Sequence, residues 1–283
     1  MPKKAASTTT VVNVASVPHR SVFRYPGGKT WLVPHVRKWL SSIERPAEFA
    51  EPFAGGGIVA LSVLFDDLAD RITLIELDRS IAAVWKVILN GKGAALADRI
   101  ISFKVSEPTV REILSAQHRN LFDLAFATIL RNRMQRGGIM APGAALMKEG
   151  ENGKGLRSRW YAQTLKNRIV DIVQKKAFIK FIQGDGIAFM RRNASRADIA
   201  YLIDPPYTVA GRRLYAHSEI DHEQLFKAAE KLQGDFLMTY DNVPPVRELA
   251  KAHGLDTQEI AMKNTHHAVM SELLIGRNLA WAR

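Results

Sequence analysis

Four consecutive residues, Asp204-Pro205-Pro206-Tyr207, combine an acid, a stiff turn and an aromatic ring. They come directly after the apolar run Ile199-Ala200-Tyr201-Leu202-Ile203, which reads as a buried strand. The prolines end the strand and stiffen the loop beyond it. Acid and ring are thereby expected at the carboxyl end of a strand, the edge where open α/β sheets bind ligands. The chemistry that suits the arrangement is methyl transfer to an amino group conjugated with a ring. The lone pair of such a nitrogen is delocalised and weakly nucleophilic. The Asp204 carboxylate and the Pro205 carbonyl can each accept a hydrogen bond from it, drawing the nitrogen towards tetrahedral geometry. Pro206 fixes the turn, and Tyr207 offers a face for stacking a base. A strand closed by an ordinary Pro-Pro turn with a capping Asp would carry the same letters.

Other blocks could position a second reactant. Glu51-Pro52-Phe53-Ala54-Gly55-Gly56-Gly57 reads as a strand end, a glycine turn and a helix start near Ile58. Such a turn lets a ligand press against bare backbone. The next strand, Ile72 to Ile75, ends in Glu76-Leu77-Asp78, an acid about twenty residues past the glycines. Glu76 is expected to hold ribose hydroxyls, and Asp78 to cap the following helix. Asp185, in Gly184-Asp185-Gly186, is expected at the same edge, as an acceptor for an adenine amino group or as a helix cap. Upstream, Tyr25-Pro26-Gly27-Gly28-Lys29 predicts a tight turn feeding an amphipathic helix with Leu32, Val36, Trp39, Leu40 and Ile43 on one face. A lysine there suits an anion or carboxylate; the spacing is not that of a Walker loop.

These blocks need a sheet to carry them. Strands are expected at 178–182, 199–203, 235–240, 256–261 and 272–275, with helices at 221–232 and 244–252. The alternation predicts a mostly parallel α/β sheet with a closing antiparallel hairpin. From Ile81 to Leu130 the apolar spacing is helical and reads as core. Beyond it the chain turns basic and irregular. Arg131, Asn132, Arg133, Arg136, Arg157 and Arg159 are of the types that contact phosphates and base edges. A solvated helix face would read the same. Thr208 to Ile220, with Arg212, Arg213 and His217, reads as a lid, while His266-His267 lacks partners at metal spacing.

The 283 residues suit one large or two modest domains, and 47% apolar residues can build a core. With no cysteine, disulfides and thiolate metal sites are excluded, and a reducing compartment is plausible. No apolar run reaches membrane-span length, and Met1 to Arg20 is expected to be a Ser/Thr-rich disordered tail. The formal charge of +12 favours a polyanion, nucleic acid first, over a merely basic soluble protein.

In order, RYPGGK (Arg24–Lys29), EPFAGGG (Glu51–Gly57), IELD (Ile75–Asp78), GDG (Gly184–Gly186), DPPY (Asp204–Tyr207) and SELLI (Ser271–Ile275) span most of the chain. In them the chain resembles the Dam-like class of adenine-N6 DNA methyltransferases. The resemblance implies a Rossmann-like methyltransferase sheet and S-adenosylmethionine as methyl donor. Tyr25, Lys29, Glu76 and Asp204 match the family's donor-contacting positions, and Gly28, Glu51, Phe53, Gly55, Gly57 and Asp185 complete the expected donor site. It implies catalytic segments at 21–91 and 177–283 and an inserted, mainly helical DNA-recognition domain at 92–176. Asn132, Arg133 and Gly138 match the recognition pattern, but Met134, Arg136 and Gly137 depart from it, so a GATC target is not carried over. The expected function is methylation of a flipped adenine in double-stranded DNA by a cytoplasmic, bacterial or phage-encoded monomer, with or without a restriction partner. No metal is implied. The alternatives are a cytosine-N4 or RNA-adenine methyltransferase, or a DNA-binding relative without catalysis.

Overall fold

The structure, a computed structural model, describes residues 17–24, 28–140, 144–148, 153–206, 220–263 and 269–283. Tyr25, Tyr207, the expected lid over 208–219, His266-His267 and most of the expected tail (1–16) lie outside these residues.

Seven strands form one sheet: β1 (Glu48–Glu51), β2 (Arg71–Glu76), β3 (Ile179–Gln183), β4 (Ile199–Ile203), β5 (Phe236–Asp241), β6 (Asp256–Lys263) and β7 (Val269–Gly276). Their order is β3-β2-β1-β4-β5-β7-β6. The first five are parallel, and β7 runs antiparallel to both β5 and β6. The expected closing hairpin is present and longer than predicted. β1 and β4 are buried at every residue, as central parallel strands covered on both faces must be. They pair directly, Phe49 with Ala200 and Ala50 with Tyr201. The strand order reverses there, and ligands of open α/β sheets bind outside the strand ends at such a point.

Side-chain alternation divides the core in two. Phe49, Ile72, Leu74, Ala200, Leu202 and Leu237 face one helical layer; Ala50, Ile75, Tyr201, Ile203, Met238 and Leu273 face the other. The second layer is α8 (Gly186–Arg192), α9 (His222–Glu230) and α10 (Pro244–Ala252). The first contains α1 (Val33–Leu40), α2 (Ile58–Phe65) and α3 (Arg79–Val87). It also takes in α4 (Gly93–Ser102), α5 (Glu107–Ser115), α6 (Leu121–Met134) and α7 (Ala162–Gln174), because Leu96, Val110, Phe126, Ile129, Leu165 and Ile169 belong to the same apolar cluster. The expected recognition segment at 92–176 is thus mainly helical but shares its core with the catalytic layer. Among the described residues no helix is long and apolar enough to cross a membrane.

Two local expectations change. Val17 is buried, and the Arg20 guanidinium lies 4.3 Å from the Phe65 ring centroid. Residues 17–20 therefore pack on the protein instead of ending a disordered tail, because the core offers Val17 an apolar seat. Lys29 to Leu32 forms a 3-10 turn before α1, not the start of the helix itself, and Gly28 caps it with φ −48°, a conformation any residue can adopt.

The loops after β1 and β3 touch backbone to backbone. A Cβ on Gly186 would lie 2.2 Å from the Pro52 carbonyl oxygen. Gly186→Ala is expected to lower stability by about 2 kcal/mol or more, since neither backbone can yield cheaply. Thermal unfolding beside Gly184→Ala, where the nearest atom is a side-chain methyl 3.8 Å away, is the check.

Candidate active site

The glycine turn after β1 is held from several sides. Gly55 and Gly57 have φ of 48° and 58°, the left-handed region that favours glycine. A Cβ on Gly57 would also meet Trp85 Cζ2 at 3.1 Å. The Trp85 indole donates to the Gly55 carbonyl at 2.9 Å, and Ser21 Oγ donates to the Gly56 carbonyl at 2.6 Å. Glu76 accepts from Gly55 N at 2.9 Å and from Asp78 N at 2.7 Å. Burial pushes Glu76 up to about 7, against the pull of those N–H groups. Asp78 caps α3 as expected, accepting from Ser80 N and Ile81 N. Asp185 caps α8 through Ala188 N at 2.6 Å; of its two readings, this is the one seen. Phe53 packs on the second core layer.

At the end of β4, Asp204 meets a buried cation. Lys29 Nζ lies 3.1 Å from Asp204 Oδ1 and 2.9 Å from Glu272 Oε2. Burial works against the charged ammonium, but the two carboxylates outweigh it and raise the lysine above its ordinary value. Thr239 Oγ1 donates to Asp204 Oδ1 at 2.6 Å from the neighbouring strand. The carboxylate is therefore fixed from two directions at the edge where β4 gives way to Pro205 and Pro206.

Glu51 stands close by, at the end of β1. It is 5% exposed, and it accepts from Ala60 N at 2.7 Å, over the start of α2. Burial first, then the nearby Asp204 charge, push it up to about 8. Asp241, at the end of β5, is also raised, chiefly by burial. The sheet edge thus gathers Glu51, Asp204, Asp241 and Glu272 around Lys29. Among the described residues no group of three or more His, Asp or Glu could hold a metal ion.

Sequence reasoning missed Glu272 and Thr239. Glu272 is the acid of the SELLI block, 4% exposed beside Leu273 and Leu274. An acid inside a buried strand was the available signal.

The expected nucleic-acid residues separate. Arg136 and Arg157 are exposed, Arg131 and Arg159 partly so. Trp160 packs edge-on to Phe103 and Phe126 at 5.6 and 6.3 Å, anchoring the turn that presents Arg157 and Arg159. Asn132 and Arg133, by contrast, are 2% and 5% exposed and cannot meet base edges on an open face. Asn132 accepts from Arg24 N at 2.9 Å and donates to the Arg24 carbonyl at 2.7 Å. Arg133 donates to the Val22 carbonyl at 2.7 Å. Both are clamps on the segment leading to Lys29, because residues 21–24 bring backbone groups into the interior that need partners.

This strand order, with a glycine turn after β1, an acid ending β2 and Asp-Pro-Pro after β4, is that of a Rossmann-like α/β fold with a closing antiparallel strand. Residues 25–98 match the family described as D12 class N6 adenine-specific DNA methyltransferase, as the resemblance implied. The match covers the Lys29 block, the glycine turn and Glu76, and it supports S-adenosylmethionine as methyl donor. Among curated proteins none matches the chain in sequence. Among solved structures, a proposed RNA methyltransferase from Pyrococcus horikoshii is 13% identical, with TM-score 0.41, covering 91% of this chain and 87% of that one. A proposed methyltransferase from Escherichia coli is 12% identical, with TM-score 0.39 and coverages of 87% and 83%. Spermidine synthase from Thermotoga maritima is 11% identical, with TM-score 0.41 and coverages of 88% and 59%.

The residues present fit such a donor. The left-handed glycines keep bare backbone at the sheet edge, and Glu76 already accepts from donors at the place where ribose hydroxyls would offer the same bonds.

Glu51 gives a pH-dependent prediction. Its unfolded value is near 4.5 and its folded value about 8, so folding favours the protonated form and stability falls as pH rises between them. Glu51→Gln should match the wild type near pH 4.5. It should become increasingly more stable than the wild type towards pH 8, by on the order of a few kcal/mol, then level off. Denaturant unfolding across that window measures it.

Proposed function

We propose that the protein transfers a methyl group from S-adenosylmethionine to the exocyclic N6 of adenine in duplex DNA, with the base rotated out of the helix. The observation that carries this reading is the Asp204 carboxylate at the strand-order reversal, fixed by Lys29 and Thr239 beside the glycine turn. The charge of +12 and the exposed Arg136 and Arg157 support a nucleic-acid substrate.

S-adenosylmethionine, when bound, supplies a methyl group activated by its positive sulfur. Glu76 would hold the ribose hydroxyls, with the Gly55–Gly57 backbone against the methionine portion. Lys29 and Thr239 hold the Asp204 carboxylate in place at the strand end. Asp204 and the Pro205 carbonyl then accept from the adenine amino group and turn its lone pair outwards. The amino group loses one proton as it gains the methyl, and an Asp204 oxygen is placed to take it. Orientation of the two reactants is the main source of rate. Rotating the base out costs a few kcal/mol, which stacking on Tyr207 and phosphate contacts would offset.

The test is incubation with labelled S-adenosylmethionine and unmethylated duplex DNA, followed by mapping of the modified bases. Label is expected in adenine-N6, and Asp204→Ala should lower it at least about a hundredfold. Label in cytosine, or in RNA alone, would keep the donor and move the substrate. Donor binding without transfer to any nucleic acid would sink the reading.

A further inference from the structure

Away from the sheet edge, residues 17–24 cross the C-terminal end of α6 and the first turns of α7. Beneath them lies a cavity of about 200 Å³, whose walls include His19, Arg24, Arg133, Tyr161, Thr164 and Arg168. No acid lines it. Two of the guanidiniums are held by the crossing segment: Arg133 donates to the Val22 carbonyl at 2.7 Å, and Arg168 to the Ser21 carbonyl at 3.0 Å. Each guanidinium has five N–H donors in a fixed fork. Arg133 Nε is buried without a hydrogen-bond partner among the described residues, on a side chain only 5% exposed.

The charges around this cavity repel one another. Burial first, then Arg168 and Arg24, pull Arg133 down to about 10. Burial, then Arg168 and Arg133, take His19 down to about 4, which leaves it neutral at pH 7. Arg168 is lowered by burial alone. Holding two cations together in a half-closed space is costly unless an anion joins them. A tetrahedral oxyanion matches the donors, because guanidinium forks bind phosphate through paired N–H groups.

We propose that this cavity is a phosphate-binding site, occupied in the working protein by a backbone phosphate of its nucleic-acid substrate. The choice of a backbone phosphate rests on the functional reading above; the phosphate site itself does not. The location supports that choice. Arg24 lies five residues before Lys29, on the same stretch of chain. The exposed Arg157 stands on the turn immediately before α7.

The test uses the full chain, inorganic phosphate as probe, and chloride at equal ionic strength as control. Millimolar phosphate should raise the unfolding temperature above the chloride value. Arg168→Gln and Thr164→Glu should each abolish that response. Thr164→Glu should also unfold at a higher temperature than the wild type without phosphate, because it sets a carboxylate among the arginines. Arg168→Lys, which keeps the charge, serves as the folding control. With duplex DNA, Arg168→Gln should weaken binding severalfold on any sequence and reduce the log–log salt slope by about 1, while S-adenosylmethionine affinity stays unchanged. A wild type that responds no differently to phosphate than to chloride overturns the site. A phosphate response with an unaltered salt slope overturns the backbone assignment and leaves phosphate in solution as the occupant. If no variant binds DNA, the functional reading falls, while the phosphate comparison still decides the cavity.

Discussion

Burying one ammonium group is the constraint on which the site depends. Lys29 sits between Asp204 and Glu272, and a cation in that position survives only because two carboxylates meet it. Those three residues come from the turn before α1, the end of β4 and the antiparallel β7. The ion cluster therefore fixes the N-terminal block against both halves of the sheet. It also explains why a closing antiparallel strand matters to chemistry at the end of a parallel one: β7 brings Glu272 opposite Asp241, across the strand next to Asp204.

The same edge carries an excess of acidic side chains. Glu51 and Glu76 are each pushed well above the ordinary carboxylate range, to about 8 and about 7, chiefly by burial. Acids kept so far from their unperturbed state are poor contributors to stability, and they collect where a ligand is to be bound or turned. The glycine turn shows the complementary arrangement, with Trp85, Ser21 and Glu76 holding its backbone in place. A rigid turn flanked by costly carboxylates is preorganised for a ligand bearing hydroxyl and amino donors.

Much of this was legible in the sequence, for reasons that differ by element. The strands were readable because parallel strands buried on both faces become unbroken apolar runs, as at Ile199–Ile203. The sheet-edge acids were readable because each comes at once after such a run. Glu272 was obscured by lying inside a strand, where its partner, some 240 residues earlier, leaves no local trace (|i−j| = 243). The surroundings of Asn132 and Arg133 were hidden for a different reason. Their types suit nucleic acid, but composition does not reveal which side of a helix end is covered by a distant segment. The helical spacing of Phe126, Ile129 and Leu165 likewise foretells a core but not whose core it joins.

The grip of α6 on residues 21–24 ties two tasks that a modular view would separate. Asn132 and Arg133 stand at the end of a helix in the segment expected to read sequence, and they hold the backbone that leads to the ammonium beside Asp204. The end of α6 and the placement of Lys29 are then mechanically linked. A recognition segment transplanted from a relative would arrive without its matching N-terminal strap, and would misplace a charge it never touches. A change in either stretch is carried to the other through those hydrogen bonds, although more than a hundred residues separate them in the chain.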